Sequence, residues 1–163
     1  MPPDVLAVRP YAPADAEALI ALFKGAVRIV ARRDYSEAQV MAWAPDDIER
    51  TLFAARCASR PTWVAETGGT VVGFTDLEPD GHLDMMFVHP GFQRQGVASA
   101  LLRQVEDAAG AGHLRRLFTE ASITARPFFE RRGFRVIAPE TVARRGQALL
   151  RFRMEKFLRA PGA

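Results

Sequence analysis

The chain has 163 residues, 48% hydrophobic and 25% charged, the balance of a globular protein that builds its own core, and a single domain over residues 1–163 is expected. Its net charge of +3 is carried almost wholly by arginine, and the doublets Arg32-Arg33, Arg115-Arg116, Arg131-Arg132 and Arg144-Arg145 are interleaved with acids. No nucleic-acid partner is expected, because such binders concentrate charge on one element. Cys57, the one cysteine, excludes an intrachain disulfide and reads as a small buried hydrophobe. No run approaches the ~20 apolar residues of a membrane span. Residues 1–10 lack a signal peptide's basic start and long apolar segment, so a cytoplasmic protein without a membrane partner is expected.

Val5, Ala7 and Arg9 alternate with Leu6, Val8 and Pro10, predicting a short first strand that Pro10 ends. Over residues 14–32 the positions Ala18, Leu19, Leu22, Phe23, Ala26, Val27 and Val30 keep helical spacing, with Asp15 and Glu17 where the dipole favours acids. Ser36-Glu37-Ala38-Gln39 is a capping box opening a second helix, which Pro45 stops. Asp46 or Asp47 is the expected cap of a third helical stretch containing Ile48, Leu52, Phe53 and Ala55. Residues 62–65 and 70–77 read as strands joined by the turn Gly68-Gly69, and Pro79-Asp80-Gly81 is a further turn.

The chain is organised around residues 82–109. Leu83, Met85 and Phe87 alternate with Asp84, Met86 and Val88, the pattern of one strand covered on both faces. Pro90 and Gly91 end it, and Val97, Leu101, Leu102 and Val105 then recur at helical spacing to a stop near Gly110. A strand, a loop of small residues and a helix N-terminus make an anion site, because the first helical turn carries unpaired N–H groups and partial positive charge. Gly96 and Ala98 allow a phosphate close to the backbone, and Arg94 adds a charge-assisted contact. Arg116–Ser122 reads as a fifth strand, and residues 124–132 as a helix with Thr124 as N-cap and Gly133 as its end. Residues 134–137 and 148–157 read as two closing strands, and the mixed order of elements predicts an α/β chain with a mixed sheet.

Val88-x-Pro90 followed by Gln93-x-x-Gly96-x-Ala98 resembles motif A of the GNAT superfamily, the acyl-CoA-dependent N-acyltransferases. Residues 125–134 (ARPFFERRGF) look like its motif B, and residues 35–45 are similar to the YafP-like bacterial branch. The resemblance covers essentially the whole chain. It implies a central, mostly antiparallel sheet whose fourth and fifth strands splay apart, with helices on both faces. It also implies acetyl-CoA as co-substrate, no metal, and an amine acceptor. By position, Phe87 and Val88 would hold the pantetheine arm, with the Val88 N–H at the thioester oxygen. Gln93 and the amides of Arg94, Gln95, Gly96, Val97, Ala98 and Ser99 would hold the pyrophosphate.

An amine acceptor must lose a proton, since an alkylammonium of pKa ~10.4 is neutral about once in 10³ at pH 7. The candidates for this work are His82, Asp84 and Glu120, with His82 where many family members have a glutamate. Two positions depart from the family pattern. Phe129 stands where motif B carries a tyrosine that protonates the departing thiolate, and Ser122 stands where an asparagine is common. The expected function is acetyl transfer from acetyl-CoA to a primary amine of a small molecule or protein, by direct attack in a ternary complex. Phe129 keeps open the alternative of a catalytically weak acyl-CoA-binding regulatory or partner module. Tyr35 and Trp43 are read as pocket or core residues, and His89 as a loop surface residue. Acceptor specificity is expected from residues 28–45 and 138–146. Many family members dimerise, and Phe152 with Phe157 offers an edge for a homodimer.

Overall fold

The computed structural model describes residues 5–159; residues 1–4, on which the leader expectation partly rests, lie outside the described residues. The first half of the chain runs β1 (Ala7–Pro10), α1 (Ala16–Gly25), α2 (Glu37–Trp43), α3 (Arg50–Ala58), β2 (Thr62–Thr67) and β3 (Thr70–Asp76). There follow β4 (His82–Leu83), β5 (Met86–Val88), α4 (Val97–Ala111), β6 (Arg116–Ser122), α5 (Arg126–Arg131), β7 (Arg135–Arg144) and β8 (Gln147–Phe157). One sheet has the order β1-β2-β3-β5 and the other β4-β6-β8-β7, and every pairing is antiparallel except β4 with β6. This is the expected mixed α/β architecture. No helix among the described residues is long and apolar enough to cross a membrane.

Residues 82–88 do not form the single strand that their alternation predicts. His82 and Leu83 pair with Phe118 and Thr119 of β6, whereas Met86, Phe87 and Val88 pair with Thr75, Phe74 and Gly73 of β3. Side chains satisfy the backbone where the strand changes sheets. The N–H groups of Asp84 and Met85 both donate to one carboxylate oxygen of Asp76 at 2.9 Å. The Thr75 hydroxyl donates to the Met85 carbonyl at 2.8 Å, and the Thr119 hydroxyl to the Leu83 carbonyl at 2.7 Å. Asp76 is fully buried and faces Arg60 at 3.1 Å. Burial pushes its carboxyl above the usual range, against the opposing pull of the Met85 N–H and Arg60. Periodicity does not register such a break, because the residues that cause it lie on neighbouring strands.

Helix boundaries differ from expectation for equally local reasons. The helical run over 14–32 is composite: a 3-10 turn at Pro13–Asp15, α1, a π-helical turn at Ala26–Val30 and another 3-10 turn at Ala31–Arg33. The capping box of α2 forms as expected, with the Gln39 N–H donating to Ser36 Oγ at 3.1 Å and the Ser36 N–H to Gln39 Oε1 at 2.8 Å. Neither Asp46 nor Asp47 caps α3, because their carboxylates pair with Arg28 and Arg145. Glu49 caps it, accepting from the Thr51 and Leu52 N–H groups, and Leu52 is left 71% exposed while Phe53 and Cys57 face the core. The Thr124 hydroxyl donates to Asp34 at 2.7 Å instead of capping α5. Strand β7 runs seven residues beyond its expected end at 137, to Arg144, because β8 supplies a continuous row of partners; Pro139 is tolerated on an edge strand.

Helix α4 lies against the first sheet through Val97 and Leu101, which pack with Ala65 and Val72, while its Leu102 and Val105 join Leu83, Leu117 and Met154 of the second sheet; all four are buried. A Cβ on Gly73 would come 2.7 Å from Val97 Cγ1 and 3.1 Å from the Phe87 carbonyl, so glycine lets the first turn of α4 rest directly on β3 beside β5. Replacing Asp76 with alanine would leave the N–H groups of Asp84 and Met85 without their acceptor and take one of its acidic partners from Arg60, and is expected to cost about 3–5 kcal/mol. Urea unfolding checks this, and a loss below 1 kcal/mol would refute the role of Asp76 at the strand break.

Candidate active site

Strand β5 leaves β6 behind, and the opening between them is a cavity of about 920 Å³. Its walls are Met86, Phe87 and Val88 on one side and Ser122, Ile123, Thr124 and Ala125 on the other. The first turn of α4 and α5 extend the lining, and the π-helical turn adds Ala26, Val27 and Val30. Antiparallel bonding alternates along β5. The Met85 carbonyl and the His89 N–H bond to β3 partners, so Phe87 faces β3 as well, and the amides of Met86 and Val88 turn toward the gap. The Val88 carbonyl accepts from Gln93 Nε2 at 3.0 Å. Gln93 therefore fastens the loop to the end of the strand.

Arg94 and Gly96 both take positive φ, at 60° and 83°, which turns successive backbone N–H groups toward one point. No side chain caps α4 at Gly96, so its leading N–H groups remain available. Gly96 is exposed and a Cβ built on it would meet nothing within 4 Å, so no other part of the chain crowds the start of the helix there. Gln93, Arg94, Gly96, Val97, Ala98 and Ser99 all line the cavity, whereas the Gln95 side chain is exposed and off its wall. Arg132 reaches from the end of α5 to the Ser99 hydroxyl, a contact that motif reading did not anticipate. Phe129 borders the cavity and is otherwise buried among Phe128 and Phe134.

A second cavity of about 340 Å³ adjoins the first and shares Trp43, Phe87 and Ser122 with it. Asp84 and Glu120 lie on its wall among Phe23, Phe53 and Met85. Tyr35 and Gln39 fasten the α2 region over it: the Tyr35 hydroxyl donates to the Leu150 carbonyl at 2.5 Å and accepts from the Ile123 N–H at 2.9 Å, and Gln39 Nε2 donates to the Ala148 carbonyl at 2.8 Å. Trp43 contributes to both the core and the pocket. Ser122 Oγ accepts from the Ala125 N–H at 3.0 Å, which leaves its own proton free where the cavities meet. Cys57 is buried away from both cavities, and burial raises its thiol to about 11, so it stays protonated and offers no nucleophile.

The three candidates for proton transfer occupy different positions. Asp84 bonds Arg56, and Arg60 at 2.8 Å; burial alone would raise its carboxyl, but the two guanidiniums outweigh this and hold it below the usual range. Glu120 lies 2.9 Å from His82 Nε2, and Glu78 lies 2.7 Å from His82 Nδ1. His82 is off the walls of both cavities and stacks on Phe118, 4.9 Å between ring centroids. Its hydrogen bond to Glu120, seconded by that to Glu78, outweighs burial and raises its pKa from 6.5 to about 9. The ring is an imidazolium at neutral pH. The cluster of Asp76, Glu78, Asp84 and Glu120 against Arg56, Arg60 and His82 carries one more negative charge than positive, beside the pocket.

His82 binds its proton more tightly folded than unfolded, so its contribution to stability is complete below pH 6.5 and is lost as pH rises through about 9. Unfolding measured across that window should show the wild type losing an advantage over H82Q. Equal slopes would disprove the imidazolium assignment.

The chain matches the Acetyltransferase (GNAT) domain family over residues 31–156. It is 37% identical to the uncharacterized N-acetyltransferase YafP of Escherichia coli strain K12 over 147 residues, 90% of this chain and 93% of that protein. A crystal structure of a GCN5-related N-acetyltransferase from Rhodopseudomonas palustris superposes with a TM-score of 0.91 at 36% identity, covering 97% of this chain and 99% of that one. The PaiA N-acetyltransferase from Thermoplasma acidophilum, solved with coenzyme A, shares the fold with a TM-score of 0.75 at 19% identity, covering 94% and 99%. With the parted strands and the uncapped helix behind them, these matches place the chain in the GNAT superfamily of N-acetyltransferases, and the protein is an acetyltransferase.

Proposed function

We propose that the protein transfers the acetyl group of acetyl-CoA to a primary amine by direct attack in a ternary complex. The observation that carries this reading is the parting of β5 from β6 in front of an uncapped helix N-terminus, with open space at Gly96. Those features fit a diphosphate at one end and an extended thioester arm along β5 at the other. Solved relatives support the choice of co-substrate: PaiA was crystallised with coenzyme A, and YncA of Salmonella typhimurium with acetyl-CoA. The N–H groups of residues 94–99 would grip the diphosphate, and the Val88 N–H would face charge developing on the thioester oxygen, a contact worth about 3–4 kcal/mol. That donor is backbone, so changing the Val88 side chain would not remove it.

The net negative charge beside the small cavity attracts an ammonium group. Glu120, on the cavity wall, is the group proposed to take the proton. His82, already protonated, acts through Glu120 as a positioning residue by holding that carboxylate in place. Asp84, bound by two arginines, contributes to the field more than to proton transfer. Ser122 is proposed to donate a hydrogen bond that stabilises the departing thiolate, in place of the tyrosine that Phe129 replaces, and the thiolate takes its proton from water. A thiol is a fair leaving group, so a hydroxyl suffices there.

Titration calorimetry should show acetyl-CoA binding to the wild type and at least tenfold weaker binding to G96E, which puts a strained, negatively charged side chain where the diphosphate would lie. Absent binding, or equal binding by both, would remove the reading. With any amine that is acetylated, E120Q should lower kcat by about 10²–10⁴ and leave acetyl-CoA affinity unchanged. An unaltered kcat would clear Glu120 of the role.

A further inference from the structure

The small cavity carries charge of both signs on its wall. Asp84 and Glu120 lie with Arg56 and with Arg151, whose register partner Ser122 is close to Glu120 on β6; Arg144 enters farther along, beside the β7–β8 turn. Three guanidiniums lie on this wall, and two are already paired: Arg56 with Asp84, and Arg151 with Glu140 at 2.6 Å. Among the described residues Arg144 has no carboxylate partner, and its only hydrogen bond is to the carbonyl of the adjacent Ala143. Apolar rings line the wall as well, and Phe87 packs edge-on against Phe23 and Trp43 at centroid distances of 4.8 and 6.3 Å.

Strand register gives the separation of the charges. Glu120 pairs with Arg153 of β8, and Arg144 pairs with Gln147, six residues along the same strand. Six residues of strand span roughly 20 Å, and the inward reach of a glutamate and an arginine leaves room for a molecule between them. A volume of about 340 Å³ is at the small end for ligand sites, which favours a compact molecule over a segment of protein.

Resting on the acetyltransferase reading above, we infer that the acceptor is a compact amine whose apolar body separates its ammonium group from a carboxylate, the ammonium held at Asp84 and Glu120 and the carboxylate at Arg144. An α-amino acid, with both charges on one carbon, does not span this pocket. A planar guanidinium suits a carboxylate because it donates two parallel hydrogen bonds.

The test follows acetyl-CoA-dependent CoA release with 4-(aminomethyl)benzoate, its neutral amide, benzylamine and phenylalanine. The benzoate should exceed both the amide and benzylamine in kcat/KM by about tenfold or more, as expected for a charge-assisted contact, and phenylalanine should be poor. In R144Q the ratio of benzoate to amide should fall toward one. If benzylamine or the amide does as well as the benzoate, or R144Q keeps the preference, the carboxylate assignment is overturned while acetyl transfer stands. If the protein binds acetyl-CoA but acetylates none of the four, the assignment also falls. If it does not bind acetyl-CoA at all, the functional reading beneath it fails first.

Discussion

One carboxylate controls the geometry of this protein. Asp76 is buried at the end of β3, and by accepting the N–H groups of Asp84 and Met85 it takes the place of a strand partner where the chain leaves one sheet for the other. An extended segment inserted between β3 and β6 would ordinarily pair along both edges. Here the carboxylate and two threonine hydroxyls satisfy the polar groups of the turn, so β4 can stay with β6 while β5 stays with β3. The gap that results exposes backbone amides in a cavity, which elsewhere would be costly. In the proposed reading, those amides would face the extended arm of the co-substrate.

The same carboxylate joins the folding constraint to the charge pattern of the smaller cavity. Arg60 bridges Asp76 and Asp84, Arg56 takes the outer side of Asp84, and His82 holds Glu120 and Glu78. Every acid near the pocket has a cationic partner, yet the acids outnumber the cations by one. The excess charge favours an ammonium without leaving any buried carboxylate unpaired, which would cost several kcal/mol. The β7–β8 hairpin adds Arg144 and Arg151 to the wall of the same cavity.

Much of this was legible from residue order. The capping box at Ser36 and Gln39, the alternation of the closing strands and the helix after Gly96 follow from short-range rules, because each depends on bonds between residues a few positions apart. Motif A was legible for the same reason: its amides, its glycine and its helix are consecutive in the chain. Errors appeared where distant residues compete. Asp46 and Asp47 look like caps until Arg28 and Arg145 claim them, and Thr124 looks like one until Asp34 does. Arg132 on Ser99 carried no local signal, and for Arg144 the chain order indicated only the segment 138–146 and not its place on the pocket wall.

The amino-acid order by itself determined the superfamily and the strand, loop and helix that carry motif A, since these are properties of contiguous segments. Tertiary structure alone decided that residues 82–88 serve two sheets, that His82 is held as a cation behind Glu120, and that Arg144 lines the smaller cavity with no carboxylate partner among the described residues. Hydrogen bonding and charge depend on distance in space, and Glu120 lies 38 positions from His82 in the chain but 2.9 Å away in the fold.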